Sequence, residues 1–113
     1  MIEITVRDYL AGELPEPVAL EVPHPVPERY VILEKTGSRR ENGIDTATFA
    51  VRSVAPTLYE AAELNERVKA AMELLPWAAA SVFRAALNSD GNFSNAETKE
   101  RRYQAVYHIT YKE

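Results

Sequence analysis

The hydrophobic side chains of residues 57–75 recur at intervals of three and four positions, and this is the strongest helical pattern in the chain. Such spacing places one apolar stripe on a helix, wide enough to lie on a sheet. Thr57 and Glu60 form a capping box that begins the helix, and the proline that follows the stretch is expected to end it. On the polar face, Glu63 and Arg67 have the i, i+4 spacing of a stabilising ion pair.

A second and shorter helix is predicted at the beginning of the chain. Residues 2–13 place apolar side chains on one side and charged side chains on the other. This helix is expected to be stopped by Gly12, Pro15 and Pro17, because both residue types break helices. The sequence therefore predicts two helices.

Five segments have the patterns of β-strands. Residues 101–112 alternate between apolar and polar positions, which is the period of a strand with one buried face. Residues 30–34 are a β-branched apolar run, and residues 46–54 are expected to be their partner strand. Residues 18–22 predict a short strand. Residues 80–87 are ambiguous, since alanine favours a helix and the β-branched and aromatic positions favour a strand, and we predict a strand.

Polar or proline-rich segments separate these elements. Residues 23–28 have proline at every second position, which indicates a stiff, extended connector. Asn42 and Gly43 favour a tight turn within the hairpin loop 37–44, whose charged residues should reach into solvent or towards a neighbour. Residues 88–98 are expected to form a long polar loop, a length that is usually functional or mobile.

The order of elements is therefore α-β-β-β-α-β-β, which indicates the α+β class. We expect two helices packed on one mainly antiparallel sheet, in a single domain that spans residues 1–113.

Composition narrows the function classes. The chain has 113 residues, a formal net charge of −4 and no cysteine. A general nucleic-acid-binding protein would usually have a dominant basic face, so no sequence-specific nucleic-acid partner is expected. Disulfides and thiolate metal sites are excluded. The first residues lack the pattern of a signal peptide and no long apolar run is present, so we expect a soluble protein without a membrane partner.

The sequence has no recognisable catalytic or cofactor motif. The two histidines, His24 and His108, lack the spacing of a metal site, and we interpret both as ordinary surface or interface side chains. No serine lies in a nucleophile elbow, and no glycine-rich phosphate loop is present. We therefore expect neither an enzyme nor a protein that binds a metal or cofactor.

Six segments, which follow one another over nearly the whole chain, carry a resemblance to a known family. In order they are ITVRDYLAGEL, YVILEKTGSRREN, IDTATFAVRS, YEAAELNERVKAAM, LNSDGNFSN and ERRYQAVYHITY. Together they resemble the small tail-terminator and head–tail joining proteins, or minor tail proteins, of siphophages and of prophages in Gram-positive bacteria.

This resemblance implies a structural role in the virion. Such proteins have an α+β fold and form a ring, usually a hexamer, which caps the tail tube and docks to the head connector. The implied partners are other copies of the chain, the major tail tube protein and the head connector protein, and assembly would take place in the cytoplasm of the host bacterium. By this resemblance, the hairpin 37–44 and the loop 88–98 would reach neighbouring subunits or the tube. The candidate interface residues are Arg39, Arg40, Glu41, Asn42, Asp90, Asn92 and Phe93.

A second interpretation needs no assembly. A small cytoplasmic binding or regulatory module could use an open sheet edge or a helix face to bind a peptide or small ligand.

Overall fold

The computed structural model describes residues 1–97 and 100–113, which form three helices and five strands in the order α-β-β-β-α-α-β-β. The bounds are α1 Ile2–Glu13, β1 Val18–Ala19, β2 Tyr30–Glu41, β3 Ile44–Ala55, α2 Leu58–Glu73, α3 Leu75–Ala78, β4 Val82–Asn92 and β5 Arg101–Tyr111.

The five strands form one sheet in the order β1-β2-β3-β5-β4. The β1–β2 pair is parallel, and the other three pairs are antiparallel. The α+β class and the mainly antiparallel sheet are therefore confirmed. The predicted order differs from the structure only by the additional short helix α3, so the chain has three helices where two were predicted.

All three helices lie on one face of the sheet. Helix α1 packs on β1 and β2, α2 on β3 and β5, and α3 on β4. Between the two layers is the main core, where Phe49 of β3, Leu64 and Met72 of α2, and Ile109 of β5 are fully buried. The opposite face of the sheet has no helix among the described residues.

Helix α2 begins as its sequence predicts and ends earlier. The Thr57 side chain accepts a hydrogen bond from the backbone N–H of Glu60, as a capping residue does. The prediction that Pro76 ends this helix was wrong, because α2 ends at Glu73 and Pro76 lies in the first turn of the separate helix α3. The fixed φ of proline and its missing N–H suit a first turn.

The polar face of α2 makes a different ion pair from the one expected. Arg67 does not pair with Glu63. Both of its terminal nitrogens donate to the carboxylate of Glu16, at 2.8 and 2.7 Å. A bidentate contact with a largely buried carboxylate is stronger than a flexible pair on a solvated helix face.

Strand β1 is shorter than the predicted 18–22. Only Val18 and Ala19 pair with β2, and the chain bends away at Leu20. Leu20 and Val22 are 40% and 42% exposed, so their alternating pattern has no covering layer to bury it. Residues 23–28 form a connector without a strand, as predicted.

The β2–β3 hairpin is longer than predicted. Asn42 and Gly43 have φ values of 55° and 77°, and such a tight turn lets the ladder continue to its last pair, Glu41 with Ile44. The charged residues before the turn are therefore strand residues that are exposed to solvent, and the predicted solvent-exposed tip is confirmed.

The predicted loop 88–98 is largely wrong. Strand β4 includes residues 88–92, because these polar residues pair with β5 from Tyr103 to Val106 and tertiary pairing overrides weak strand propensity. The ladder is irregular between Leu87 and Ser89. The last predicted loop residue, Thr98, lies outside the described residues. The predicted strand 80–87 is confirmed in type.

The closing strand agrees with its alternating pattern. Tyr107, Ile109 and Tyr111 are buried against the helices, and Tyr103 is half-buried. His108, on the other face, is exposed.

Candidate functional site

An ion pair links the two strands of the hairpin beside its tip. The guanidinium of Arg40 donates twice to Asp45, at 2.6 and 2.9 Å. This contact lowers the pKa of Asp45, whose side chain is largely buried. Arg40 is therefore already bound within its own subunit.

Its neighbours at the tip are free. Arg39 and Glu41 are exposed and make no ion pair with any described residue. Asn42 forms the turn itself. Of the charged residues predicted for the tip, these two are the ones available to a neighbouring molecule.

Asp90 ties the edge strand β4 to helix α2. Its carboxylate accepts hydrogen bonds from Lys69 at 2.9 Å and from the side-chain amide of Asn65 at 3.0 Å. The bond from Lys69 is the main cause of the lowered pKa of Asp90. This residue therefore positions the strand that carries it.

The residues that follow form a compact corner. Two guanidiniums contact the ring of Phe93, and their central carbons are 5.7 Å (Arg52) and 5.0 Å (Arg102) from its centroid. Both distances suit cation–π contact. The side-chain oxygen of Asn92 accepts hydrogen bonds from the backbone and hydroxyl of Ser94. Phe93 is still 44% exposed, so part of its ring can contact a partner.

The two groups of predicted residues lie at opposite ends of the sheet. Tyr111 of β5 pairs with Asp45 beside the tip, and Tyr103 pairs with Asn92 at the other end. These positions are about 27 Å apart at the usual rise of an antiparallel strand. The structure therefore does not bring the candidate residues together as one site.

Both edges of the sheet have long unpaired stretches. Strand β4 pairs only with β5, so its outer side has no neighbour among the described strands. On the other side, β1 pairs with β2 only at Val31 and Ile32, and residues 33–41 have no strand on their outer side in the described part of the chain. Unpaired strand edges can add a strand from another chain.

Sequence reasoning did not identify a concavity on the face of the sheet that lacks helices. It has a volume of about 520 Å³ and crosses β2, β3, β5 and β4 near the hairpin end. The alternation of polar and apolar residues indicates which positions of a single strand face solvent. Only the register between strands shows which of these positions lie side by side on one surface. Its lining residues are Gly37, Ser38, Arg39, Thr46, Thr48, Arg84, Ala86, His108 and Thr110.

Several large apolar side chains are exposed near the β4 edge. Trp77 of α3 is 87% exposed, and Phe83 and Leu87 of β4 are 53% and 46% exposed. Helix α3 packs on β4, so these side chains belong to neighbouring elements at one side of the molecule. Exposed apolar groups of this size favour burial in a contact.

Neither a metal-binding cluster nor a membrane-spanning helix is found in the described part of the chain. Residues 1–97 and 100–113 contain no cluster of three or more histidine, aspartate or glutamate side chains that could hold a metal. None of the helices in these ranges is long and apolar enough to cross a membrane. No family model matches the sequence, and no curated protein is similar enough to be identified as a relative.

Proposed function

We propose that this chain is a virion structural protein of the siphophage tail-terminator or head–tail joining type. It would form a ring, usually a hexamer, that caps the tail tube and contacts the head connector. The observation that carries the proposal is the pair of uncovered sheet edges. The sequence resemblance supplies the phage context.

The directions of the two edges suit a contact between copies. Because each neighbouring pair from β2 to β4 is antiparallel, β2 and β4 run in opposite directions. If one copy stands beside another in the same orientation, the β4 edge of the first meets the β2 edge of the second as an antiparallel pair. That arrangement uses two different surfaces, and such heterologous contacts close into rings when the rotation per copy allows it.

The two ends of the molecule would contact the other tail components. The molecule measures 44 × 25 × 24 Å, so it is long enough to present separate surfaces at its two ends. Arg39 and Glu41 at one end and Phe93 at the other would be available to the tail tube and the connector. No catalytic group is needed for this work.

The test is a measurement of assembly. We expect mass photometry to show species larger than a dimer, or negative-stain images to show caps on cognate tail tubes mixed with the chain. A chain that stays monomeric alone and in the presence of tubes contradicts the proposal.

A matched pair of variants tests the edge contact. Leu87→Lys places a charge on the β4 edge, and Lys at an edge strand opposes pairing. We expect Leu87→Lys to weaken assembly at least about tenfold without loss of fold, because one buried charge in a contact costs several times the thermal energy. Leu58→Lys makes the same change on α2, at a residue of similar exposure, and should assemble normally. Equal effects of both changes would contradict the edge contact.

The alternative, a peptide-binding or ligand-binding module, predicts a defined monomer or dimer. In that case both lysine variants would keep the oligomeric state of the unchanged chain.

A further inference from the structure

Two arginines that have no carboxylate partner in the described part of the chain line the concavity on the open face of the sheet. Six of the nine arginines lie within 4.0 Å of a carboxylate oxygen. The other three, Arg39, Arg84 and Arg101, have no such partner among residues 1–97 and 100–113. Two of these three, Arg39 and Arg84, line the concavity of about 520 Å³. A chain with a net charge of −4 thus places two unpaired arginines on one surface.

The floor between the two arginines is rich in hydrogen-bonding groups. The hydroxyl of Thr48 lies 3.2 Å from Nδ1 of His108, and Nε2 of that ring has no hydrogen-bond partner among the described residues. Thr46 and Thr110 pair with each other two residues closer to the hairpin tip than Thr48 and His108 do. No carboxylate lines the concavity. Guanidinium, imidazole and hydroxyl groups without a competing carboxylate are the chemistry that binds an oxyanion.

The register gives the separation of the two charges. Arg39 of β2 pairs with Thr46, Thr46 with Thr110, and Thr110 with Arg84 of β4. The two arginines therefore start from the same level of the sheet, three strand spacings or about 14 Å apart. In an extended peptide, side chains four positions apart are separated by about the same distance and lie on the same face.

We propose that this face binds an extended acidic peptide that crosses the strands, with carboxylates four positions apart received by Arg39 and Arg84. The peptide would belong to a partner protein, and its backbone would lie over the hydroxyls and His108. The proposal goes beyond the ring contact, because the peptide lies on the open face and leaves the outer backbone groups of β2 and β4 unpaired.

Nucleic acid fits the concavity less well. Proteins that bind single strands on a sheet combine a basic groove with aromatic rings on which bases stack. The concavity contains no phenyl, phenol or indole ring. Phe93, the exposed ring that two guanidiniums contact, lies beside Asn92 at the other end of the sheet.

Fluorescence anisotropy with designed probes tests the proposal. The main probe is a labelled Gly/Ser peptide with two glutamates four positions apart, titrated with the full chain at low salt. The comparison peptide has the same composition and adjacent glutamates. We expect saturable binding of the main probe and binding of the comparison peptide that is at least about threefold weaker, because only one arginine can be satisfied.

Charge-reversal variants locate the site. Arg84→Glu should weaken binding by about tenfold or more, since it removes a charge-assisted contact and adds repulsion. Arg101→Glu makes the same change at the third unpaired arginine, outside the concavity, and should change affinity by less than about twofold. Leu87→Lys, the edge variant, should still bind the probe, so loss of ring assembly and loss of peptide binding can be told apart.

Four results would overturn the proposal. These are no saturable binding of the main probe, equal binding of the two peptides, equal loss in Arg84→Glu and Arg101→Glu, and tighter binding of an oligothymidylate that displaces the peptide. The last result would assign the face to nucleic acid.

Discussion

Glu16 connects the segment before β1 to the outer side of helix α2. Its carboxylate is only 11% exposed and receives both terminal nitrogens of Arg67. This hydrogen bonding is the main reason that the pKa of Glu16 is lowered from its ordinary value. The partners are 51 positions apart in the chain, so helix spacing alone pointed to Glu63 instead.

The lowered pKa predicts a pH-dependent contribution to stability. A carboxyl group whose pKa is lower in the folded chain stabilises the fold above its ordinary pKa, and this contribution disappears as pH falls through the folded value. We expect Glu16→Gln to lower the free energy of unfolding by about 1 kcal/mol at neutral pH, a value discounted because Arg67 is partly exposed. In urea denaturation, the free energies of unfolding of the variant and of the unchanged chain should become equal as the pH is lowered through the acidic range. Glu21→Gln, at an exposed glutamate, should show no such convergence.

Ser53 has a buried hydroxyl without a hydrogen-bond partner in the described chain. The residue is fully buried in β3, on the face covered by the helices. An unsatisfied hydroxyl costs desolvation and returns no bond. We therefore expect Ser53→Ala to raise the free energy of unfolding by about 1 kcal/mol, measured by urea denaturation. Ser38→Ala, at an exposed strand position, should change it little. Destabilisation by Ser53→Ala would mean that the hydroxyl has a partner such as a bound water.

Local sequence signals identified the beginnings of helices and the turns better than the ends of helices and strands. Thr57 and the Asn42–Gly43 turn act through neighbouring backbone groups, so both could be predicted from the sequence. The ends of β1 and β4 depend on strands that are distant in the chain. Strand β4 continues to residue 92 because β5 offers hydrogen-bond partners beside it. Residues 20–22 have no strand partner in the described part of the chain, since the β1–β2 pairing ends at Ala19.

The cap of α2 gives a prediction for the element as a whole. Thr57→Ala removes the oxygen that accepts the backbone N–H of Glu60. Loss of such a cap costs about 1 kcal/mol. We expect the midpoint of urea unfolding to fall accordingly with an unchanged slope. Thr57→Ser keeps the capping oxygen and should restore most of the stability. An equal loss in both variants would show that the methyl group of threonine matters more than the cap.

The sequence predicted a layer of helices on one sheet. It did not predict the concavity on the opposite face of that sheet. The amphipathic helices and the alternating final strand predicted one helical layer on a sheet, and Tyr107 and Ile109 are buried as expected. The concavity on the opposite face depends on the register of four strands, in which Arg39 and Arg84 reach the same level from positions far apart in the chain. That register is shifted by irregularities of the ladder, and no local pattern indicates them. They lie between Lys35 and Gly37, between Val82 and Arg84, and between Leu87 and Ser89.

The side of the molecule that carries β4 can be followed by the single tryptophan of the chain. Trp77 is 87% exposed on α3, which packs on β4. In the dilute monomer its fluorescence should be that of a solvated indole, readily quenched by acrylamide. If copies join through the β4 edge, the indole lies beside the contact and loses water, so emission should shift to shorter wavelength as concentration rises.

The variant Leu87→Lys tests whether the shift in Trp77 emission is caused by the contact at the β4 edge. The variant keeps Trp77 on α3 but opposes pairing at the β4 edge. Its emission should therefore stay at the monomer wavelength over the concentration range in which the unchanged chain shifts. Assembly without any shift in the unchanged chain would place the contact away from α3 and contradict the edge-to-edge arrangement, because the indole of an assembled copy would then be as solvated as that of a free one.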